Sequence, residues 1–424
     1  MTTTIRLLTA TISLTLFSQS VSAAAFNLNE HSASGLGRAF AGEAAIADNA
    51  SVLSRNPAAM SLFKQKEISI AGSYIKPDID IEGREDLQIG PMTVPASAMD
   101  AENIASDAFV PAAYYIQPIN QQLAWGMALF TNYGLATEFE PDYAMGPISG
   151  KTELTTININ PNLSYKLNEQ WSVGGGISVI YADATLIRRA GVLANLNSRL
   201  QADTELANLS GDTWSWGWNL GALYNLDEDN RWGLSYRSGS TLSFDGKFTG
   251  STSNFTEVPG HLDLELPALA EFSGFHKLQD AFAVHYSIQW TGWDVFRELK
   301  ATSNQCSQGI CFNKSQDFSD SWRYSIGGSY FIDEQWTLRT GIALDQQAAH
   351  DVISIPDTRR MWYSAGITYQ PITTWSFDLG IAYLDGKDVD IDELLTISGL
   401  GTVTSKFTGH ASALILAAQA NYRF

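Results

Sequence analysis

The sequence predicts an all-β protein: a transmembrane antiparallel β-barrel of 14 strands. Three observations carry that reading. First, a short polar turn followed by an aromatic recurs along the chain. It reads Asn120-Gln121-Gln122 before Trp125, Asn168-Glu169-Gln170 before Trp171, and Asp227 to Asn230 before Trp232. It returns as Gln279-Asp280 before Phe282, Asp333-Glu334-Gln335 before Trp336, and Thr373-Thr374 before Trp375. Second, the segments after these turns alternate. Behind Trp171 one face reads Val173, Gly175, Ile177, Val179 and the other Ser172, Gly174, Gly176, Ser178. Period two with aromatics at the ends suits a strand with one face on hydrocarbon and the other on a lumen. Third, no run of eighteen apolar residues follows the N-terminus, which argues against spanning helices.

Taken in order, residues 1–23 read as a secretory signal: Arg6 is the positive region, Leu7 to Phe17 the apolar stretch, and Val21-Ser22-Ala23 the small-residue cleavage site. Residues 24–66 are rich in Gly, Ala and Ser with little alternation, and a helical stretch is expected around Gly37 to Ala47. Such a segment fits a plug, a periplasmic tail or a linker. The barrel occupies 67–424. Strands are expected near 67–82, 108–119, 122–138, 151–167, 170–189, 212–226, 230–248, 261–275, 279–300, 317–332, 335–346, 358–370, 374–385 and 405–424. Six short turns put both ends on the periplasmic side, with longer loops outside, near 83–107, 139–150, 190–211, 249–260, 301–316, 346–357 and 386–404. Within one loop, Val192 to Leu209 carries Leu at mostly helical spacing and predicts a short helix over the barrel mouth. The last strand alternates cleanly and ends on Phe424, a terminus that suits the barrel-assembly machinery.

Composition narrows the function. Of 424 residues 45% are hydrophobic and 17% charged, and the net charge is −19. That balance argues against nucleic acid, which needs a basic face; the acidity reads as solvated loops. Cys306 and Cys311, in an exported chain, predict a small loop disulfide rather than a metal site. No metal or cofactor is expected. His285-Tyr286-Ser287 loosely suggests a barrel phospholipase, but Ile288-Gln289 follows and no other catalytic element is visible, so no enzyme is expected.

The N-terminal block then carries a resemblance. Ala24 to Glu30, Ser34-Gly35-Leu36-Gly37-Arg38-Ala39, Gly42 to Asp48 and Ser54-Arg55-Asn56-Pro57-Ala58 resemble the start of mature FadL-type long-chain fatty acid transporters. Thr131 to Phe139, Gly217-Trp218-Asn219 and Ser354-Ile355-Pro356-Asp357 extend the likeness over the mature chain. The resemblance implies an outer-membrane barrel of 14 strands with residues 24–66 as an internal hatch, taking up long-chain fatty acids by passive diffusion. Asn56, Pro57 and Ala58 match the hatch motif. Tyr133, Gly134 and Leu135 match a kink in the third strand that opens the wall sideways. Arg188, with Leu186 and Phe26, matches the ligand pocket, where a guanidinium would meet the carboxylate. The family lysine expected near Asp320 corresponds here to Ser319, leaving one cation. Relatives that pass aromatic hydrocarbons make a second reading, and a non-transport receptor or adhesin barrel a third. Expected partners are hydrophobic small molecules, outer-membrane lipid and lipopolysaccharide, and the assembly machinery; the chain is expected to be a monomer.

Overall fold

The fold was described from a computed structural model, which covers residues 26–349, 352–397 and 400–424. The secretory-signal reading of 1–23 lies outside the described residues. Fourteen antiparallel strands close into a barrel. They are β1 (Glu67–Gly83), β2 (Ala108–Pro118), β3 (Leu123–Phe130, then Gly134–Glu138), β4 (Lys151–Lys166), β5 (Trp171–Arg189), β6 (Glu205–Asn225) and β7 (Asn230–Arg237, Ser240–Gly250). Then follow β8 (Val258–Leu266, Leu269–Gln279), β9 (Phe282–Thr291, Glu298–Thr302), β10 (Ile310–Ser315, Ser321–Phe331), β11 (Trp336–Asp345), β12 (Arg360–Ile372), β13 (Trp375–Gly386, Val389–Ile397) and β14 (Gly401–Arg423). Closure runs from Glu67 opposite Arg423 to Gly83 opposite Phe407.

The short turns share one device. Asn120, Asn168, Asp227 and Asp333 each turn their side-chain oxygen back to accept two backbone N–H groups, two and three residues on. This Asx geometry stands in for a backbone turn and launches the next strand. The aromatics that follow pair across strands: Trp171 with Tyr224, Phe282 with Tyr330, Trp336 with Tyr369, Trp375 with Tyr422. Together they form a belt at the turn-side interface.

Along β5 the lumen face changes character. Near the turn it is Ser172, Gly174 and Ser178; higher up it is Ile180, Ala182 and Leu186, then Arg188. The outward residues Val173, Ile177 and Val179 are exposed throughout, as are Trp214, Trp216 and Trp218 on β6. The polar lower lumen holds residues from the N-terminal segment, nearly all buried between Phe26 and Met60. Its backbone N–H groups donate to wall side chains around the circumference: Ala33 to Gln419, Gly42 to Ser287, Ala44 to Ser273, Ala50 to Ser69. Ser287, singled out above beside His285, thus binds this segment, while His285 meets Ser329.

Four expectations need correction. The helix at 37–47 is one turn, α1 (Ala33–Leu36); Ala39, Phe40 and Gly42 have left-handed φ values, which no α-helix tolerates. The helix at 192–209 is a 3-10 turn, Gly191–Asn195, and Glu205 already begins β6. The loop at 386–404 is largely a strand hairpin, Val389–Ile397 against Gly401–Gly409. The strand expected at 279–300 is interrupted at 292–297, and the one expected at 317–332 begins only at Ser321, after a break at 316–320 behind the strand Ile310–Ser315 that occupies part of the expected loop at 301–316.

Candidate ligand-binding site

The wall opens at the third strand. β3 pairs with β2 only from Pro118 opposite Ala124 to Ala113 opposite Leu129. Beyond Phe130 the chain bends inward through Thr131 to Tyr133, then resumes against β4 at Gly134 opposite Thr155. The upper part of β2, from Ala108, retains pairing with β1 alone. The freed edge at the bend is taken by the N-terminus: Leu28 N–H donates to Asn132 O (2.8 Å) and Gly134 N–H to Phe26 O (3.1 Å). A Cβ on Gly134 would stand 3.0 Å from Leu28 Cδ1, so the glycine makes room for that side chain.

The pairing delivers Phe26 to an apolar cavity lined among others by Leu135, Leu154, Leu186, Leu209 and Phe244. Phe26 stands edge-on to Trp293 (4.6 Å between centroids) and Phe296 (5.6 Å), and both reach Phe318. Trp293 and Phe296 come from the break in β9, Phe318 from the break in β10. Sequence reasoning missed all three, because inside an assumed continuous strand they read as ordinary wall aromatics. The Gly292 and Gln316-Asp317 flanks were the available signal.

Arg188 sits above Leu186 on the same face, buried. Its guanidinium donates to the carbonyls of Lys151 (3.0 Å) and Ile187 (2.8 Å) and to Thr152 Oγ1 (3.2 Å); Thr152 lines the cavity. Nε has no hydrogen-bond partner, and among the described residues no carboxylate reaches ion-pair distance. Its ring neighbour is Phe312, 6.0 Å from the guanidinium carbon. Two residues on, on the same strand face, Lys314 donates to Ile148 O (3.0 Å) and Glu393. A second cation therefore stands beside Arg188. Ser319 lies in the interruption at 316–320, five residues beyond Lys314. It contacts Ala348 O (3.4 Å).

Asn56 caps the 3-10 turn Pro57–Leu62 by accepting from Ala58 N–H (3.0 Å). Its amide donates to Ala44 O (2.6 Å) and Ala222 O (3.0 Å), stitching two parts of the N-terminal segment to β6. Asn56, Pro57 and Ala58 lie far down the lumen from Arg188, against Gly174 and Gly221. Arg38 joins Glu43 (2.6 Å) and Asp48 (3.1 Å), and Asp48 also meets Arg339 of β11 (3.0 Å). Cys306 and Cys311 are bonded in a disulfide at the outer end of β9 and β10. Among the described residues no cluster of His, Cys, Asp and Glu could hold a metal ion.

Known proteins share this architecture. A family model described as outer membrane protein transport protein (OMPP1/FadL/TodX) matches residues 14–424. A long-chain fatty acid transport protein of Escherichia coli O6:H1 is 39% identical over 447 residues, covering 97% of each chain. A 47 kDa outer membrane protein of Pasteurella multocida is 42% identical over 429 residues, covering 96% of this chain and 95% of that one. Among solved structures, a Pseudomonas aeruginosa FadL homologue has the same fold, with TM-score 0.83 at 22% identity, covering 95% of this chain and 100% of its own. A closed barrel with an inward-bent third strand, an aromatic cavity and full-length kinship converge on one conclusion: the chain belongs to the OMPP1/FadL/TodX family of outer-membrane transport proteins.

Proposed function

We propose that the protein carries long-chain fatty acids inward across the outer membrane by diffusion. The carboxylate is held at Arg188 and Lys314, the chain lies in the cavity beside Phe26 and Leu186, and residues 24–66 act as the hatch. The observation that carries the reading is Arg188: a buried guanidinium with no carboxylate of its own among the described residues, donating to Thr152, which lines the apolar cavity. A cation in a dry site is stabilised by an anion that arrives with the ligand. The bend at Tyr133, Gly134 and Leu135 supports lateral release, because the wall there lacks a β2 partner.

Energetics support a moving hatch. Burying about fifteen methylenes at ~0.8 kcal/mol each gives on the order of 12 kcal/mol before binding costs. Affinity on that scale holds the ligand unless release is coupled to a change in the protein. Phe26 fills one side of the cavity, and its backbone is paired to the bend in β3, so its withdrawal alters the site and the wall together.

The test is direct binding of oleate and of toluene to folded protein. Tight oleate binding supports the proposal. Binding of toluene alone favours the aromatic-hydrocarbon reading, for which the Phe26, Trp293 and Phe296 cluster is the supporting feature. Arg188→Ala is expected to weaken oleate by about 2–5 kcal/mol, the usual cost of truncating a buried charge pair. An uncharged hydrocarbon of similar length should be little affected. Equal losses for both ligands would reduce Arg188 to a packing role.

A further inference from the structure

The Lys314 ammonium is already engaged. Its partner, Glu393, lies on the outer part of β13, facing inward between Ile391 and Leu395, and is 3% exposed. One carboxylate oxygen takes the Lys314 ammonium. The other accepts the backbone N–H of Ile353 (2.8 Å). Ile353 belongs to an outer apolar cluster with Ile81, Phe139, Tyr143 and Leu395. Two residues later, Ile355 belongs to the inner cluster and lines the cavity. Glu393 thus fastens the strip of chain that separates the outer apolar cluster from the cavity.

The charge balance is uneven. A buried cation, Arg188, and a half-buried one, Lys314, face the buried carboxylate of Glu393, and both feel its field. Lys314 has a carboxylate partner; Arg188, among the described residues, has none, and its Nε lacks a hydrogen bond. A buried carboxylate among isoleucine and leucine is costly unless paired. Its position is therefore set by the lysine and the Ile353 amide, the two groups that hold its oxygens.

We propose that Glu393 is a resident stand-in for the ligand's headgroup, so that it competes with an arriving carboxylate and makes the unfastening of the strip specific to carboxylates. This rests on the fatty-acid reading above. An arriving carboxylate completes the charge balance at Arg188 and competes with Glu393 for Lys314. Displaced, Glu393 lets go of Ile353, and the strip between the outer cluster and the cavity is left held by Thr137, which donates to Ser354 O (2.8 Å). A neutral hydrocarbon has no group with which to compete and leaves the strip fastened.

The test is Glu393→Gln, which keeps the shape and an acceptor for Ile353 N–H but removes the competing charge. Titrations would use folded wild-type and variant protein with oleate and with methyl oleate, the unheated gel mobility of the barrel serving as folding control. Oleate affinity is expected to rise about tenfold, the scale of one partly screened like charge removed, with methyl oleate unchanged. Lys314→Met should abolish most of the gain when combined with Glu393→Gln. A fall or no change in oleate affinity, in a variant that folds, would overturn the proposal and make Glu393 a mere prop for Lys314. An equal rise for both ligands would overturn it too, since that reports a loosened strip without charge competition. If Glu393→Gln does not fold, Glu393→Asp, which keeps the charge and shortens its reach, is read on the same two ligands and should raise oleate affinity alone. Wild-type protein that binds methyl oleate but no oleate would remove the fatty-acid reading itself, and the stand-in role with it.

Discussion

Asn56 shows how much one amide can hold. Its oxygen caps a turn and its nitrogen donates to two carbonyls, Ala44 and Ala222, and the side chain is fully buried. Asp at this position keeps the cap but loses both donations. Each orphaned carbonyl then costs about 1–3 kcal/mol, and a buried negative charge faces them. Asn56→Asp is expected to detach the N-terminal segment from β6 while the barrel still forms. Trypsin or thermolysin digestion of the folded variant should cut between residues 44 and 62; a digestion pattern like that of wild type would refute the assignment. Asn-Pro-Ala was visible in the sequence as a motif. The two donations were not, since they depend on carbonyls twelve and 166 residues away.

Among the elements, the segment after β11 is expected to act as a pH-sensitive clasp. Asp357 lies there, buried, with one oxygen accepting from Ala348 N–H (2.7 Å) and Ala349 N–H (3.2 Å). The other oxygen has no partner. Burial pushes its carboxyl up to about 7, against the pull of the Arg360 charge. With the folded value raised, the folded state holds a proton that the unfolded chain releases. Stability from this group is therefore greatest in acid and declines as pH rises from the ordinary carboxylate range through about 7. Hydrogen exchange in residues 345–358 should accelerate over that window, and Asp357→Asn should flatten the dependence. Elements also show where sequence reading succeeds. The strands were legible because alternation and Asx turns are local signals. The hairpin at Val389–Ile397 was not, because Asp388, Asp390 and Asp392 look like loop, although Ile391, Glu393, Leu395 and Ile397 alternate inward. The breaks at 292–297 and 316–320 escaped because inward folding of a wall is decided by what fills the lumen, which pairwise alternation does not encode. That same omission hid Lys314 from the site.

At the scale of the molecule, the barrel's polar lower lumen and apolar upper lumen divide its work. Deleting Asn56-Pro57-Ala58 should impair oleate uptake by cells more than oleate binding at the surface, because the cavity residues Leu186, Leu209 and Phe244 are all supplied by the wall. Uptake equal to wild type by a correctly inserted deletion would show that the N-terminal segment takes no part in passage. The belt of paired aromatics and the closure of β1 on β14 were readable in outline from turn spacing and the alternation of the last strand.

The lower wall is also notched. A Cβ on Gly233 would lie 1.9 Å from Ala44 O, on Gly221 1.9 Å from Asn56 Oδ1, and on Gly341 2.2 Å from Arg38 O. These missing side chains sit on β6, β7 and β11, at different azimuths, each receiving a different stretch of the inserted chain. A key cut to such a lock does not slide like a piston, since any axial stroke drives its backbone into the side chains above and below each notch. What remains mechanically free is peeling at the bend: Phe26 to Leu28 unzip from β3 while the notched remainder stays seated.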